Sequence, residues 1–399
     1  MRGLRVLHVT PYAAGAWAYG GIPRLSDALV RGLAARGHVV TVCTTDACDA
    51  DHRLPLNDAK PAWPPGCTEE NVDVRVFPNV SNRLAYGYQC FMPIGLASYL
   101  RRHAASFDVA HLHACRNFPG SIAARYLRHA GVPYVLAPNG TAPNIERRAV
   151  AKRAFDLLLG RRVMARATRL LAVTDAERQQ LEGLGVAPGR IRVIPNPVEL
   201  EEFSDGSAGT GSWRRMARNG PLIAYLGQLT PRKRVDMLVR AFAALGDEAA
   251  TLVVAGNDMG AGATARAAAE EAGVAGRTFF PGLLRGKARL DLLADADVVV
   301  YPSEHEVFGL VPLEALLAGT PVVVADDSGC GEVIRAVGGG LVVHGEAEAL
   351  RSAMASILGA LPYWRAEARA AAGRVRTRYA PDVVCGQLEG LYDEMRAAG

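Results

Sequence analysis

Short apolar runs alternate with longer amphipathic segments along the whole chain. The first run, residues 4–10, is rich in β-branched residues and ends in a loop that contains several glycines. A helical pattern follows, with Leu25, Leu29 and Leu33 on one face, and then a second apolar run. Strand, glycine loop, helix and strand form a βαβ unit, in which the two strands lie parallel.

Two series of these units are predicted, and a segment rich in Gly and Ser, residues 203–213, separates them as a linker. Short apolar strands that alternate with helices are typical of a doubly wound parallel sheet. We therefore predict an α/β protein with two Rossmann-like domains, residues 1–199 and 200–375, facing a central cleft. The last segment, residues 376–399, is predicted as a helix that packs back on the first domain.

Composition narrows the class of protein only slightly. The 399 residues are half apolar and 21% charged, which is ordinary for a globular protein, and the net charge is +5. This mild excess suits a protein that handles phosphates or meets anionic lipid, but it does not select a partner. Nothing in the sequence indicates nucleic acid binding.

The seven cysteines form no CxxC pair, so neither a zinc site nor a disulfide framework is predicted. Reduced thiols are typical of the cytoplasm. Because no apolar stretch is long enough to span a bilayer and the first residues do not form a signal peptide, we expect a cytoplasmic protein. The basic segment that includes residues 147–169 is better explained as an ordinary amphipathic core helix, and peripheral contact with the membrane is the alternative.

Candidate chemistry lies in the loops after the strands, where open α/β sheets bind their ligands. Gly20 and Gly21 at a helix start let the backbone approach an anion, although a tight turn would also use them. No GxGxxG fingerprint is present. Arg232, Lys233 and Arg234 precede a helix of the second domain, and a fixed cation there suits a diphosphate. A solvated basic turn is the alternative.

The segment from Ser303 to Val323 contains a carboxylate in a loop and a second one on an otherwise apolar helix. Pro312 is tolerated in a first helical turn, so the helix is predicted to begin near Gly309 or Leu310. Amides at such a helix start bind anions well. Glu306 would then lie in the loop and Glu314 one turn inside the helix. A carboxylate at position 314 can accept hydrogen bonds from vicinal hydroxyls. Alternatively, it is simply stabilised by the positive end of the helix dipole.

Other polar residues at strand ends carry weaker signals. Asn139 precedes Gly140 after a predicted strand, a pair that is also typical of a turn. Glu332 could bind sugar hydroxyls or cap its helix. His111 and His113 alternate along a strand and point to the same face, but without further ligands nearby a metal site is not favoured.

Together these motifs resemble the retaining glycosyltransferases of family 4, which have the GT-B architecture and a Glu-x7-Glu signature. The resemblance rests on four segments in the family's order, and it extends over essentially the whole chain: residues 20–42, 225–242, 297–306 and 303–323.

The resemblance implies roles for individual residues. Glu306 and Lys233, with Asn139, are the implied catalytic residues. His113 and Asn139 are the implied acceptor contacts, in an N-terminal acceptor-binding domain. The implied donor site of the C-terminal domain, with the N-terminal glycines, comprises Gly20, Gly21, Gln228, Arg232, Lys233, Leu283, Glu306, Phe308, Gly309, Leu310, Val311 and Glu314. Within it, Lys233 would bind the diphosphate and Glu314 the ribose.

Two positions depart from the family's pattern. Gln228 stands where the family usually has arginine, so one phosphate cation is missing. Either Arg232 or Arg234 compensates, or Gln228 itself forms a neutral hydrogen bond with the donor. Asn139 stands where the family commonly has histidine. Asparagine donates and accepts hydrogen bonds but carries no proton for transfer, which is consistent with an altered donor sugar.

The resemblance implies transfer of a sugar from a nucleoside-diphosphate sugar to a hydroxyl, with retention and with neither metal nor cofactor. Polysaccharide, glycolipid or glycoconjugate biosynthesis is the expected setting. The acceptor would be a saccharide, a lipid-linked molecule at the inner membrane face, or a small molecule. Two alternatives remain: another GT-B enzyme, such as a sugar-nucleotide epimerase or a phosphorolytic enzyme, and a non-catalytic protein that binds sugar nucleotides.

Overall fold

The computed structural model describes residues 3–12, 14–49, 51–54, 71–143, 155–203, 209–217, 220–327 and 329–397. The chain divides into two compact units. The first, here the N-domain, comprises residues 1–197 together with 381–399, and the second, the C-domain, comprises residues 198–380. Each domain is built around one parallel sheet, as the alternating pattern predicts.

The N-domain sheet has seven strands in the order β3-β2-β1-β4-β5-β6-β7. Their bounds are β1 (Arg5–Val9), β2 (Val39–Thr45), β3 (Val72–Phe77), β4 (Val109–His113), β5 (Tyr134–Ala137), β6 (Arg169–Ala172) and β7 (Ile191–Val193). The strand order reverses between β1 and β4. Ligand sites of doubly wound sheets lie at such reversals, beyond the carboxyl ends of the strands.

Both faces of this sheet are covered, because successive residues of a strand point to opposite sides. Val6 packs in one buried cluster and Leu7 in the other. The covering helices begin with α1 (Ile22–Ala35), α2 (Asn82–Tyr88), α3 (Leu96–His103), α4 (Phe118–His129), α5 (Arg161–Arg166) and α6 (Asp175–Gly183). A single π-helical turn, Asp156–Gly160, leads into α5.

The C-domain sheet has six strands in the order β10-β9-β8-β11-β12-β13, with its reversal between β8 and β11. The strands are β8 (Leu222–Leu226), β9 (Thr251–Ala255), β10 (Thr278–Gly282), β11 (Val298–Tyr301), β12 (Val322–Ala325) and β13 (Gly340–Val343). Its helices are α7 (Ser212–Met216), α8 (Val235–Ala243), α9 (Gly262–Glu271), α10 (Gly286–Asp295), α11 (Leu310–Leu317), α12 (Gly329–Val337), α13 (Ala347–Gly359) and α14 (Leu361–Tyr379).

The last helix, α15 (Pro381–Ala397), belongs to the N-domain. Leu388 and Tyr392 are buried in the same cluster as Leu29 and Leu33 of α1. At the edge of this contact Glu389 accepts a hydrogen bond from Arg36 at 2.5 Å. The apolar spacing of the segment thus forms one buried helical stripe.

Two boundaries differ from the sequence prediction. The helix α14 continues to Tyr379, so the division before the last segment falls after residue 380 rather than after residue 375. The predicted linker, residues 203–213, lies inside the C-domain. Of its described residues, the backbone amides of Gly211 and Trp213 both bond to the Asp295 carboxylate at 3.0 Å. The chain leaves the N-domain earlier, at Pro197.

The basic segment that includes residues 147–169 falls partly on residues 144–154, which lie outside the described residues. No helix in the described part of the chain combines the length and the apolar composition needed to cross a bilayer.

Candidate active site

The C-domain reversal brings together two loops that carry predicted donor-site residues. The strands β8 and β11 are paired in parallel, with Ile223 opposite Val298 and Ala224 opposite Val299. Their following loops, residues 227–234 and 302–309, therefore emerge side by side at the carboxyl edge of the sheet. One loop contains Lys233 and the other contains Glu306.

Lys233 and Glu306 form an ion pair in this structure. The lysine closes a short 3-10 turn, Pro231–Lys233, and its side chain is 5% exposed. Its ammonium also donates a hydrogen bond to the hydroxyl of Tyr301 at 2.5 Å. Burial lowers the pKa of Lys233, and the neighbouring Glu306 carboxylate opposes that shift.

Glu306 is held by several donors besides the lysine. Ser303 Oγ donates to its Oε2 at 3.1 Å, and a guanidinium nitrogen of Arg232 lies 3.6 Å from the same oxygen. Burial alone would raise the pKa of this carboxyl, but the charges of Lys233 and Arg232 lower it to about 2. Glu306 is therefore ionised throughout the neutral range, and it cannot serve as a proton donor there.

The helix that follows Glu306 begins where the sequence predicts. Its N-cap is Gly309, whose φ is 78°, and Pro312 lies in the first turn. A side chain at Gly309 is excluded on two grounds: the left-handed backbone, and a Cβ position only 2.5 Å from Cys330 Sγ. Leu310 and Val311 are the first residues of α11, and their amides form the helix start, where the helix itself supplies no acceptor.

The remaining donor-site residues of the C-domain lie around this centre. The ring of Phe308 is buried and packs edge-on against Tyr379, with centroids 5.5 Å apart. Gln228 is half-buried, and its backbone carbonyl accepts a hydrogen bond from Tyr225 at 2.8 Å. Leu283, after β10, is 37% exposed.

Two arginines could compensate for the cation that is missing at position 228. Of these, Arg232 lies nearer the ion pair of Lys233 and Glu306. Arg234 instead binds the carbonyl of Gly345 at 2.8 Å and pairs with Glu304. Glu304, for which the sequence suggests no role, thus holds the two loops together. Its amide also donates to the carbonyl of Arg232 at 2.8 Å.

Glu314 lies on a buried face rather than on an open surface. It is 1% exposed, and its Oε2 accepts a hydrogen bond from Arg289 at 2.6 Å. Arg289, itself 2% exposed, also pairs with Glu202. Sequence reasoning missed this arginine, because four of the ten residues of α10 are charged and nothing in the sequence singles this one out. The role of Glu314 in ribose binding stays a prediction.

In the N-domain, Gly20 and Gly21 immediately precede α1. Gly20 has a φ of 93°, and Gly21 is the N-cap of the helix and is exposed. The start of α1 therefore presents backbone amides at the carboxyl edge of the N-domain sheet. Whether a donor phosphate binds them stays a prediction from the resemblance.

Asn139 adopts a left-handed conformation after β5, with a φ of 50°. Its Nδ2 donates to the carbonyl of Ala137 at 3.3 Å, and its Oδ1 is buried without a hydrogen-bond partner among the described residues. A carboxylate missed by the sequence reasoning holds this turn: Glu177 accepts from the amides of Gly140 at 2.6 Å and Val173 at 2.9 Å.

The sequence does contain a signal for Glu177. Thr174 caps α6 by accepting a hydrogen bond from the amide of Glu177, so the two residues have the spacing of a capping box. In the structure the glutamate reaches beyond its own helix to the neighbouring loop. It is fully buried, and burial raises its pKa to about 7 although two amides stabilise the charged form.

His113 lies in a buried cluster with His8 and His111. His8 Nδ1 is 3.0 Å from His113 Nε2, and His111 Nδ1 is 2.8 Å from the hydroxyl of Tyr392. Burial lowers the pKa of all three imidazoles, so they are uncharged at neutral pH.

These imidazoles are a poor metal site, although three of their nitrogens lie close together. The rings of His111 and His113 are stacked, with centroids 4.4 Å apart and planes 10° apart. Lone pairs of stacked rings lie in nearly parallel planes and do not converge on one ion. His113, predicted as an acceptor contact, is fully buried among these rings.

Comparison with known proteins identifies the family. Residues 20–197 match the family model described as a glycosyl transferase 4-like domain, and residues 215–363 match that of glycosyl transferases group 1. A D-inositol 3-phosphate glycosyltransferase from Frankia alni is 31% identical over 391 residues, which cover 92% of this chain and 93% of that protein. The chain belongs to the family 4 glycosyltransferases.

A further relative and two solved structures agree with this family assignment. A second D-inositol 3-phosphate glycosyltransferase, from Actinosynnema mirum, is 31% identical and covers 70% of this chain and 71% of its own. Anabaena HepE, solved with UDP and glucose, superposes with a TM-score of 0.74 at 17% identity, covering 98% of this chain and all of its own. Sucrose-phosphate synthase from Thermosynechococcus elongatus gives 0.75 at 20% identity, covering 99% and 100%. The fold is GT-B, and the protein is a glycosyltransferase.

The substitution Glu177→Gln tests the buried carboxyl that holds the Asn139 turn. Because burial favours its protonated form in the folded glycosyltransferase, the folded pKa of about 7 exceeds the ordinary 4.5. The wild-type protein then loses stability as the pH rises through these values. We expect the free energy of unfolding of wild type, relative to Glu177→Gln, to fall by up to about 3 kcal/mol between about pH 4 and pH 8.

Urea denaturation of the N-domain transition measures this difference at each pH. Glu182→Gln, one turn later on α6 and partly exposed, is the control, and its difference from wild type should not change with pH in this way. A Glu177→Gln difference that is the same at both pH values would contradict the assignment.

Proposed function

We propose that this glycosyltransferase transfers a sugar from a nucleoside-diphosphate sugar to a hydroxyl with retention of anomeric configuration and without a metal ion. The observation that carries the proposal is the buried pair of Lys233 and Glu306 at the reversal of the C-domain sheet, next to the start of α11. One side of this centre is suited to a diphosphate and the other to a sugar.

Positive charge for the leaving group comes from two sources in this chain. As the bond between the sugar and the phosphate breaks, negative charge develops on the diphosphate. A buried ammonium stabilises such charge strongly, because little water screens it. The amides at the start of α11 add the positive end of the helix. Together Lys233 and the helix start supply what a divalent ion supplies elsewhere, which supports a metal-independent reaction.

Glu306 is suited to positioning rather than to proton transfer. With a pKa of about 2 it is an anion when the enzyme works. An anion beside the donor sugar accepts hydrogen bonds from sugar hydroxyls and stabilises positive charge on the sugar ring. The acceptor's proton must then go elsewhere, and the oxygen of the departing phosphate is the base that the reaction itself produces.

The proposed step is a front-face substitution. The acceptor oxygen bonds to the anomeric carbon on the face from which the phosphate departs, and the acceptor's proton passes to a phosphate oxygen. One bond between carbon and oxygen forms and one breaks, so the anomeric configuration is retained without a covalent enzyme intermediate.

For the acceptor, we propose a hydroxyl of a polyol or saccharide, with a phosphorylated polyol as the first candidate. Relatives that act on D-inositol 3-phosphate support this choice. A lipid-linked acceptor at the inner membrane face is the second candidate. It is supported by the exposed arginines Arg161, Arg162 and Arg166 of α5, which could meet anionic lipid.

Product analysis tests the proposed reaction. Wild-type protein is incubated with UDP-sugars and, in separate reactions, D-inositol 3-phosphate or a lipid-linked saccharide, each with and without EDTA. We expect one pair to give a glycoside whose anomeric proton coupling in NMR matches the donor's configuration, at a rate that EDTA does not change. An inverted product, or loss of transfer with EDTA, would contradict the mechanism. Epimerised donor without transfer would favour the alternative enzyme class.

Substitutions of the central pair test the assigned roles. We expect Lys233→Ala to lower kcat/KM for the donor by about 100- to 1,000-fold, the cost of removing one preorganised group that stabilises charge. Glu306→Gln should lower kcat in the same range. Lys287→Ala is the matched control, because this lysine of α10 is 70% exposed and its only ion pair among the described residues is with Asp291 of its own helix. Normal transfer by either central variant would overturn its role.

A further inference from the structure

Two tyrosine rings lie directly beneath the pair of Lys233 and Glu306. Tyr301 ends β11 and Tyr225 lies in β8, and both are buried. Their rings stack with centroids 6.0 Å apart and planes 13° apart. The neighbouring strands thus fix both aromatic planes below the loops that carry the charged pair.

Tyr301 contacts both charged groups. Its hydroxyl lies 2.5 Å from Lys233 Nζ and 3.4 Å from Glu306 Oε2. The ammonium is also 4.5 Å from the centroid of the Tyr301 ring, within the range of a cation–π contact. No other side chain in the described part of the chain makes both a hydrogen bond and a cation–π contact with the lysine.

We propose that Tyr301 is a positioning residue that fixes the Lys233 ammonium for the donor diphosphate. The inference rests on the proposed function of this site. The Tyr301 hydroxyl accepts a hydrogen bond from the Lys233 ammonium and donates one toward Glu306. An ammonium has three donors. In this structure Tyr301 engages one of them and Glu306 another. Tyr301 keeps its contact, and so fixes the ammonium, when a donor phosphate takes the place of Glu306.

The physical need for such a residue follows from lysine itself. A lysine side chain is long and flexible, and holding it in one rotamer costs conformational entropy. Tyr301, fixed in the sheet and stacked on Tyr225, is rigid and determines where the ammonium lies. Its hydroxyl also stays protonated, because burial and then the charge of Glu306 raise its pKa well above the ordinary value.

Tyr225 connects the Tyr301 ring to the loop of residues 227–234. Its hydroxyl donates to the backbone carbonyl of Gln228 at 2.8 Å. Because Gln228 carries no charge, the buried cation of this loop is Lys233, and the position of that one ammonium determines how well the loop binds phosphate.

The substitution Tyr301→Phe removes the hydroxyl and keeps the ring. Groups that face Lys233 are Glu306, Arg232, Tyr301 and Cys330, and the variant changes only the tyrosine. Without this acceptor the ammonium is less stabilised, so it loses its proton at lower pH. We expect about a tenfold rise in the donor KM, a smaller change in kcat, and an alkaline limb of kcat/KM that moves to lower pH.

Binding of UDP, followed by calorimetry from pH 7 to pH 10, provides a readout that does not require transfer. Its affinity should fall in Tyr301→Phe, and the fall should begin at a lower pH than in wild type. Tyr134→Phe is the matched control: it removes a buried N-domain hydroxyl that donates to the carbonyl of Val163 at 2.7 Å. This control should leave UDP binding and its pH dependence unchanged.

Two results would overturn the inference. In the first, Tyr301→Phe has the same KM for the donor and the same alkaline limb of kcat/KM as wild type. In the second, the variant gives less folded protein but the alkaline limb of kcat/KM does not move. Failure of the proposed function looks different. In that case wild type itself neither binds UDP or another nucleoside diphosphate nor transfers sugar.

Discussion

The ion pair between Lys233 and Glu306 is the interaction on which the proposed site depends. Burying two charges costs several kcal/mol for each ion, and attraction between them repays this only when other polar groups complete their hydrogen bonds. Here Tyr301, Ser303 and Arg232 do so. A pair of this kind is a weak source of stability. Its value lies in holding a cation and an anion in place before the donor binds. The donor phosphate then replaces Glu306 as the partner of Lys233, and sugar hydroxyls replace Lys233 as the partner of Glu306.

The fold explains why two residues that are 73 positions apart in the sequence meet. The order of the C-domain sheet reverses between β8 and β11, so the loops after these strands are neighbours although two βα units separate them in the chain. The short turn that ends at Lys233 directs its side chain inward, and the helix α11 begins four residues after Glu306. Gly309, which no residue with a side chain could replace without strain, makes that sharp change of direction possible.

Much of this could be predicted from the sequence, because the decisive signals are local. The apolar periodicity indicated the alternation of strands and helices in both domains, and Pro312 located the start of α11. Contacts between distant segments left weaker signals. The partner of Glu314 is Arg289 on another helix, and Tyr301 reads as one more apolar strand residue. Glu177 looks like an ordinary helix cap, although its carboxylate binds the Asn139 turn. Local pattern determines elements, whereas packing between elements determines the partners of buried polar groups.

One measurement tests most directly whether donor phosphate must compete with Glu306 for Lys233. Calorimetric titration of UDP into wild type and into Glu306→Gln compares the two affinities at the same salt concentration, which matters because anion binding is screened by salt. The account predicts that Glu306→Gln binds UDP more tightly than wild type, because the lysine is released and the repulsion between carboxylate and diphosphate is gone. Equal or weaker binding of UDP by Glu306→Gln would contradict it.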